Sequence, residues 1–184
     1  MMNKAFELIE AHYLFGVGSS ELGVEVHPQS IVHGIVEMID GTRLLHASPP
    51  SMEHPISYAL HFPGIEQEHE EQRRDRVGSK NAEAWEFSPI DLNRFSAVRM
   101  AYDLIDQNTN SSNSVNTGAM LRFYTANEIA ADAFFNEKLP FMKIVPFIDK
   151  SLNDLPLLGK VPYSDIFSAI DEERALLLEF MKSF

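Results

Sequence analysis

The strongest constraint on the fold is a change in the spacing of apolar residues along the chain. Met2, Phe6, Ile9 and Tyr13 recur at close to helical intervals and Gly16 and Gly18 follow as a stop, so the spacing predicts a helix from about Asn3 to Phe15. Alternation then takes over. Val24, Val26 and, beyond Pro28, Ile31-Val32 through Ile39 read as strands, and Asp40-Gly41 has the composition of a hairpin turn into a strand from Thr42 to Ala47. Pro49-Pro50 ends that strand. From Gly64 to Pro89 charge is dense and aliphatic residues are scarce, which reads as a connecting segment with Trp85 and Phe87 anchoring its end in a core groove. After Pro89 the helical interval returns, first through Phe95, Val98, Met100-Ala101 and Leu104-Ile105. A polar loop is expected over Asn108 to Asn116. Further helices are expected from Ala119 or Ala126 to Phe135, near Phe141 to Leu152, and from about Tyr163 to Phe180. The start of the last stays open by a turn, because Ser164 and Asp171-Glu172-Glu173 both look like beginnings.

These spacings predict an α+β protein, with a partial mixed sheet and helices followed by a small helical bundle. The expected partition is 1–63, a linker over 64–89, and a helical domain over 90–184. A chain of 184 residues with 45% hydrophobic content supports an ordinary core. The net charge of −12 would repel a phosphate backbone and argues against nucleic-acid binding. No apolar run approaches the roughly 18 residues of a membrane span, and Met1 to Ala11 does not read as a signal peptide, so no membrane is expected and a cytoplasmic location is. The absence of Cys removes thiolate ligands, disulfides and a Cys nucleophile.

On a helix Asn3 and Glu7 share a face, with Lys4 beside them. A carboxylate is a hard oxygen ligand suited to Mg²⁺ or Mn²⁺, an ammonium is a point donor to a substrate oxygen, and an amide offers both roles. Taken alone, such residues in a first turn are ordinarily solvated surface, and Lys4 with Glu7 reads equally as an i,i+3 ion pair worth about 0.2–0.5 kcal/mol. His27 and His33 read alone as structural residues near a strand. His46, His54, His61 and His69 match no zinc spacing. Pro49-Pro50-Ser51-Met52 reads as a turn with a core Met. A metal hydrolase built on Glu7 and these histidines lacks a second carboxylate at ligand spacing and an identifiable nucleophile.

Five stretches taken together change that balance. They are MMNKAFELIEA from Met1, HPQSIVHGIVEMIDG from His27, Pro49 to Met52, His54-Pro55-Ile56-Ser57-Tyr58-Ala59-Leu60, and Thr125-Ala126-Asn127-Glu128. In this order they resemble the 1-deoxy-D-xylulose 5-phosphate reductoisomerase family, NADPH- and metal-dependent enzymes of non-mevalonate isoprenoid biosynthesis. The resemblance implies that Asn3 and Lys4 contact a phosphorylated substrate and that Glu7 ligates the metal, Mg²⁺ or Mn²⁺. Glu10, on the next turn, would support them. It places His33 near the substrate and the reduced carbon, and Pro50 and Met52 against the nicotinamide of NADPH. His27 would fix a turn. It also implies a homodimer for the complete enzyme, in the cytoplasm or, in a eukaryote, a plastid-type stroma.

Departures accompany the match. Ser51 stands where the family often has Asp, and Tyr124 replaces the first Asn of Asn-Ala-Ala-Asn-Glu, which bears on the packing of the helical bundle. The family's Gly-rich nucleotide segment, the Asp-x-Glu that completes its metal site and its Ser-rich phosphate stretches would align before Met1. The expectation is therefore a segment of the reductoisomerase, inactive alone, converting 1-deoxy-D-xylulose 5-phosphate to 2-C-methyl-D-erythritol 4-phosphate only as part of a larger whole. A non-catalytic remnant or partner subunit that retains the fold is the alternative.

Overall fold

The structure, a computed structural model, describes residues 1–63, 84–110 and 117–184. These residues form two compact units, Met1–Val24 with Asp91–Phe184, and Glu25–Ile90. The first is helical. It contains α1 (Met2–Phe15), α3 (Ser96–Asn110), α4 (Thr117–Phe135), α5 (Ile144–Asp154) and α6 (Ile166–Met181), with short 3₁₀ turns at Ser19–Glu21, Phe141–Lys143 and Tyr163–Asp165. The second holds β1 (Glu25–Val26), β2 (Val32–Glu37), β3 (Arg43–Ala47), α2 (Glu53–His61) and β4 (Ser88–Pro89). The protein is α+β as the spacing predicts.

In the helical unit α1 packs on α3, and α4 packs on α5 and α6. Ala5 and Leu8 are the buried residues of α1, whereas Met2, Phe6 and Ile9 of the expected stripe are half-buried and Tyr13 is exposed. Burial raises the Tyr13 phenol above its ordinary value even so. At a close helix contact a small Ala takes the deepest position, so the larger residues flank the seam. The core continues through Val98 and Ile105 of α3, Phe123 and Ala126 of α4, Phe147 and Ile148 of α5, and Leu177 of α6, all at most 5% exposed. Each large apolar side chain buried in this way contributes about 1.5–3 kcal/mol.

Two local contacts fix how α4 begins and how it meets α6. A Cβ on Gly118 would lie 1.8 Å from the Leu158 carbonyl oxygen, so only glycine lets the backbone of Leu158 and Gly159 come this close. Next to it, the Val161 N–H donates to the Thr117 hydroxyl at 2.7 Å. Four residues on, the fully buried Arg122 guanidinium pairs with Glu173 of α6 and donates to the carbonyls of Ser151 at 2.8 Å and Pro156 at 2.9 Å. A buried charge is tolerated only when paired and hydrogen-bonded, and here one side chain ties α4, α5, α6 and the segment between α5 and α6 together.

In the second unit β2 and β3 form an antiparallel hairpin, and β1 pairs antiparallel with β4. Asp40 and Gly41 make the hairpin turn: Gly41 adopts φ +82°, Met38 N–H donates to Thr42 O at 2.8 Å, and Gly41 N–H to Met38 O at 2.9 Å. The Thr42 N–H donates to the Asp40 carboxylate at 2.8 Å, which holds that carboxyl below the ordinary aspartate value.

Several expectations are corrected. The polar stretch from Asn108 begins as helix, since α3 runs to Asn110; residues 111–116 lie outside the described residues. Helix α4 starts at Thr117, two residues before the earlier of the expected starts at Ala119 and Ala126, and α6 starts at Ile166, directly after the 3₁₀ turn Tyr163–Asp165 and near the earlier of its two expected beginnings. Helix α2 has no counterpart among the expected elements; Pro55 stands in its first turn, where a missing N–H costs nothing, and disguises it. Trp85 is half-buried and Phe87 is 37% exposed, stacking on His27 at 4.6 Å rather than entering a core groove. Among the described residues of Glu25–Ile90 none is buried. Of the expected 64–89 linker, residues 64–83 lie outside the described residues.

Candidate active-site residues

Helix α1 carries three of the candidate residues. Its inner side is held by Ala5 and Leu8 and by Phe6, whose ring meets Phe123 edge-on at 5.4 Å and Tyr124 at 6.1 Å. Asn3 and Glu7 are exposed and Lys4 is half-buried, so the amide, ammonium and carboxylate share an accessible face. Lys4 and Glu7 form an ion pair between side chains 40% and 54% exposed. Exposed pairs of this kind contribute little to stability, about 0.2–1 kcal/mol, so the pair is easily opened by a ligand that offers better partners. Glu10 is exposed on the following turn.

The other candidates lie in the second unit. Register slips between Val32 and Gly34, so His33 is the extra residue of a bulge, and a bulge re-aims its side chain out of the ladder's alternation. His33 Nε2 lies 3.0 Å from the Ser48 carbonyl. Because a carbonyl only accepts, Nε2 carries the proton and Nδ1 of the neutral ring is left as an acceptor. The bond also ties His33 to the start of the loop that holds Pro50 and Met52. Both are exposed, Met52 at 71%, at the entry to α2, where the Glu53 N–H donates to the Ser51 hydroxyl at 3.2 Å. An apolar pair standing in solvent corrects the plain reading of Met52 as a core residue. His27 donates from Nδ1 to Glu86 O at 2.8 Å, and its backbone carbonyl accepts from Ser30 N–H at 3.1 Å, so it fixes a turn as expected.

The structure therefore brings Asn3, Lys4 and Glu7 together on one helix, and His33 together with the Pro50 to Met52 loop, on separate units. As to metal, Glu7 is an accessible hard ligand, but the described residues hold no group of three His, Asp or Glu side chains that could enclose an ion. A divalent cation at Glu7 would need further oxygen ligands.

Sequence reasoning missed Arg122 with Glu173, and the contacts of Tyr124. A lone Arg inside an otherwise apolar helical stretch was the available signal for the first. The Tyr124 hydroxyl donates to Glu128 at 3.0 Å, a bond that raises its phenol above the ordinary value, and Glu128 pairs with Arg174 of α6 at 2.9 Å.

A helical bundle and a small hairpin-bearing unit, with an amide, an ammonium and a carboxylate accessible on one helix, make this an α+β protein. The sequence profile of the DXP reductoisomerase C-terminal domain matches residues 47–176, and the chain belongs to the DXP reductoisomerase family. It is 36% identical over its whole length to the 1-deoxy-D-xylulose 5-phosphate reductoisomerase of Corynebacterium jeikeium, of which it covers 43%. Against that of Acidithiobacillus ferrooxidans it is 34% identical over 94% of this chain and 41% of the relative. Among solved structures, the Zymomonas mobilis enzyme in complex with NADPH superposes over 100% of this chain and 46% of its own, with TM-score 0.76 and 28% identity. A reductoisomerase in complex with NADPH, fosmidomycin and magnesium matches with TM-score 0.77 and 28% identity over 99% of this chain and 44% of its own. The chain thus spans about two-fifths of the curated relatives it matches.

Proposed function

We propose that this chain supplies the substrate- and metal-facing part of a 1-deoxy-D-xylulose 5-phosphate reductoisomerase of the non-mevalonate route to isoprenoids. The observation that carries the proposal is the accessible Asn3, Lys4 and Glu7 face on a helix whose opposite side is clamped into the bundle. The relatives' names and the NADPH and magnesium in their complexes support it. In this reading Glu7 is one ligand of Mg²⁺ or Mn²⁺, which when bound polarises the substrate's oxygens. Lys4, released from Glu7, donates to a substrate oxygen, and Asn3 positions the substrate by hydrogen bonds from its amide. His33, held through Ser48, presents its ring beside the reacting carbon. Pro50 and Met52 give the nicotinamide of NADPH an apolar wall that excludes water. The functional partition is a catalytic part over 1–63, a linker over 64–89 and a helical domain over 90–184, in a cytoplasmic homodimeric enzyme acting on a phosphorylated small molecule.

The 184-residue chain assayed alone with deoxyxylulose phosphate, NADPH and Mn²⁺ should show no turnover, because a single carboxylate holds a hydrated divalent ion weakly. Clear substrate-dependent loss of NADPH absorbance from the pure chain would contradict this. In a reductoisomerase of full family length carrying these residues, the same assay should give metal-dependent turnover that Lys4→Ala impairs. The mutually satisfied Lys4 and Glu7 pair favours a second reading, a partner subunit or remnant keeping the fold without catalysis. Absence of metal-dependent turnover in that full-length protein would support the second reading, whereas wild-type turnover in Lys4→Ala would remove Lys4 from the machinery.

A further inference from the structure

We propose that Tyr124 is a positioning residue that, through Phe6, fixes the rotation of α1 and hence where Lys4 and Glu7 stand. The inference rests on the functional reading of that helix. On α1 the deep contacts are Ala5 and Leu8, and His12 bonds to Asn108 of α3 at 2.7 Å near its C-terminal end, which leaves roll of the first two turns to be opposed. Phe6 opposes that roll, with its ring in edge contact with both Phe123 and Tyr124. Successive residues are about 100° apart around a helix, so Phe6 and Glu7 move together as α1 turns. With side-chain heads roughly 5–6 Å from the axis, a roll of about 10° displaces the Glu7 carboxylate by about 1 Å. Displacement on that scale is enough to cost about 100-fold in a reaction that depends on alignment.

Phe123 is fully buried and has its place set by the core, whereas Tyr124 is 43% exposed and needs another constraint. It has one. Its hydroxyl donates to Glu128 one turn on, and the other oxygen of Glu128 pairs with Arg174, so α6 holds the Tyr124 ring upright against Phe6. The phenol is pushed up by that bond and remains a donor throughout the neutral range. The replacement at Tyr124 thus couples α6 to the helix that bears the candidate machinery.

The test combines hydrogen exchange on the 184-residue chain with kinetics in a full-length reductoisomerase carrying it. Tyr124→Ala should speed exchange of the α1 amides about 10-fold while leaving α5 unchanged, and should raise the Mn²⁺ concentration for half-maximal turnover about 10-fold. Tyr124→Phe keeps the ring but loses the bond to Glu128, and should fall between wild type and Tyr124→Ala in both. Phe6→Leu should act in the same direction, and the Phe6→Leu, Tyr124→Ala pair should be no worse than Phe6→Leu alone, since Tyr124 acts on α1 only through the Phe6 ring, which also meets Phe123. Wild-type α1 exchange in Tyr124→Ala, or additive effects of the pair, would overturn the proposal. If Tyr124→Ala fails to fold, Tyr124→Leu takes its place with the same expectations. Should exchange change as expected while Glu7→Gln keeps full turnover, the positioning stands and the functional reading of α1 falls.

Discussion

The two compact units solve the problem of stability in opposite ways. The helical unit has a continuous core that includes a fully buried ion pair, Arg122 with Glu173. The hairpin unit, Glu25–Ile90, has no buried residue among those described and leaves Ile35, Val36, Leu44 and Leu45 of β2 and β3 and Ile56 and Leu60 of α2 exposed. A two-stranded hairpin is marginal by itself in water. Stability and candidate chemistry are therefore distributed unequally: Asn3, Lys4 and Glu7 stand on a rigid scaffold, whereas His33, Pro50 and Met52 stand on a thin one held by local hydrogen bonds.

That contrast breaks most sharply at Arg122. Replacing Arg122 with Met leaves Glu173 buried without a partner and should cost about 3–5 kcal/mol, read as a lower midpoint in urea. The Arg122→Met, Glu173→Leu pair should recover most of the loss; if it does not, the hydrogen bonds to Ser151 and Pro156 matter more than the ion pair. Gly118→Ala comes next. Its new Cβ meets backbone rather than a movable side chain, so a loss of about 1–3 kcal/mol is expected, seen as a lower thermal midpoint of the helical unit. A variant as stable as wild type would mean that the Leu158 to Gly159 segment yields freely.

Hydrogen exchange sharpens the comparison without mutation. Amides of β2 and β3 should exchange at least about 100-fold faster than those of α4, the ordering that follows from sparse burial in one unit and a packed core in the other. Equal protection would show that the hairpin is covered in solution. The smallest effect concerns Asp40. Its folded value is lowered, so its contribution is complete above the unfolded-chain value and vanishes as pH falls through the folded one. An NMR titration should place the Asp40 carboxyl below the ordinary range, and Asp40→Asn should remove the acid-side sensitivity of the hairpin.

Much of this fold was legible in the sequence wherever one local rule decides. The intervals of Met2, Phe6 and Ile9 mark α1, and Asp40-Gly41 marks the hairpin because the turn needs positive φ at its glycine. What periodicity misses depends on contacts distant in sequence. Nothing near Arg122 announces Glu173, 51 residues away, and nothing near Gly118 announces the Leu158 carbonyl. Helix α2 is hidden by its own Pro55. For the candidate site, spacing put Asn3, Lys4 and Glu7 on one face, but the same spacing describes any solvated first turn, and the motifs shared with the family separated the two readings. The bulge at His33 had no signal except the glycine beside it.

On this reading the exposed face of α1 is working surface and the bundle behind it is scaffold. The most direct test is Glu7→Gln in a full-length reductoisomerase carrying this chain, with turnover and thermal midpoint measured on one preparation. The substitution removes a charge while keeping shape, at a position 54% exposed whose pair with Lys4 is weak. Turnover at saturating Mn²⁺ and substrate should fall by orders of magnitude while stability changes by no more than about 0.5 kcal/mol. Wild-type turnover would contradict the claim, and a fall matched by a large loss of stability would place Glu7 in the scaffold instead.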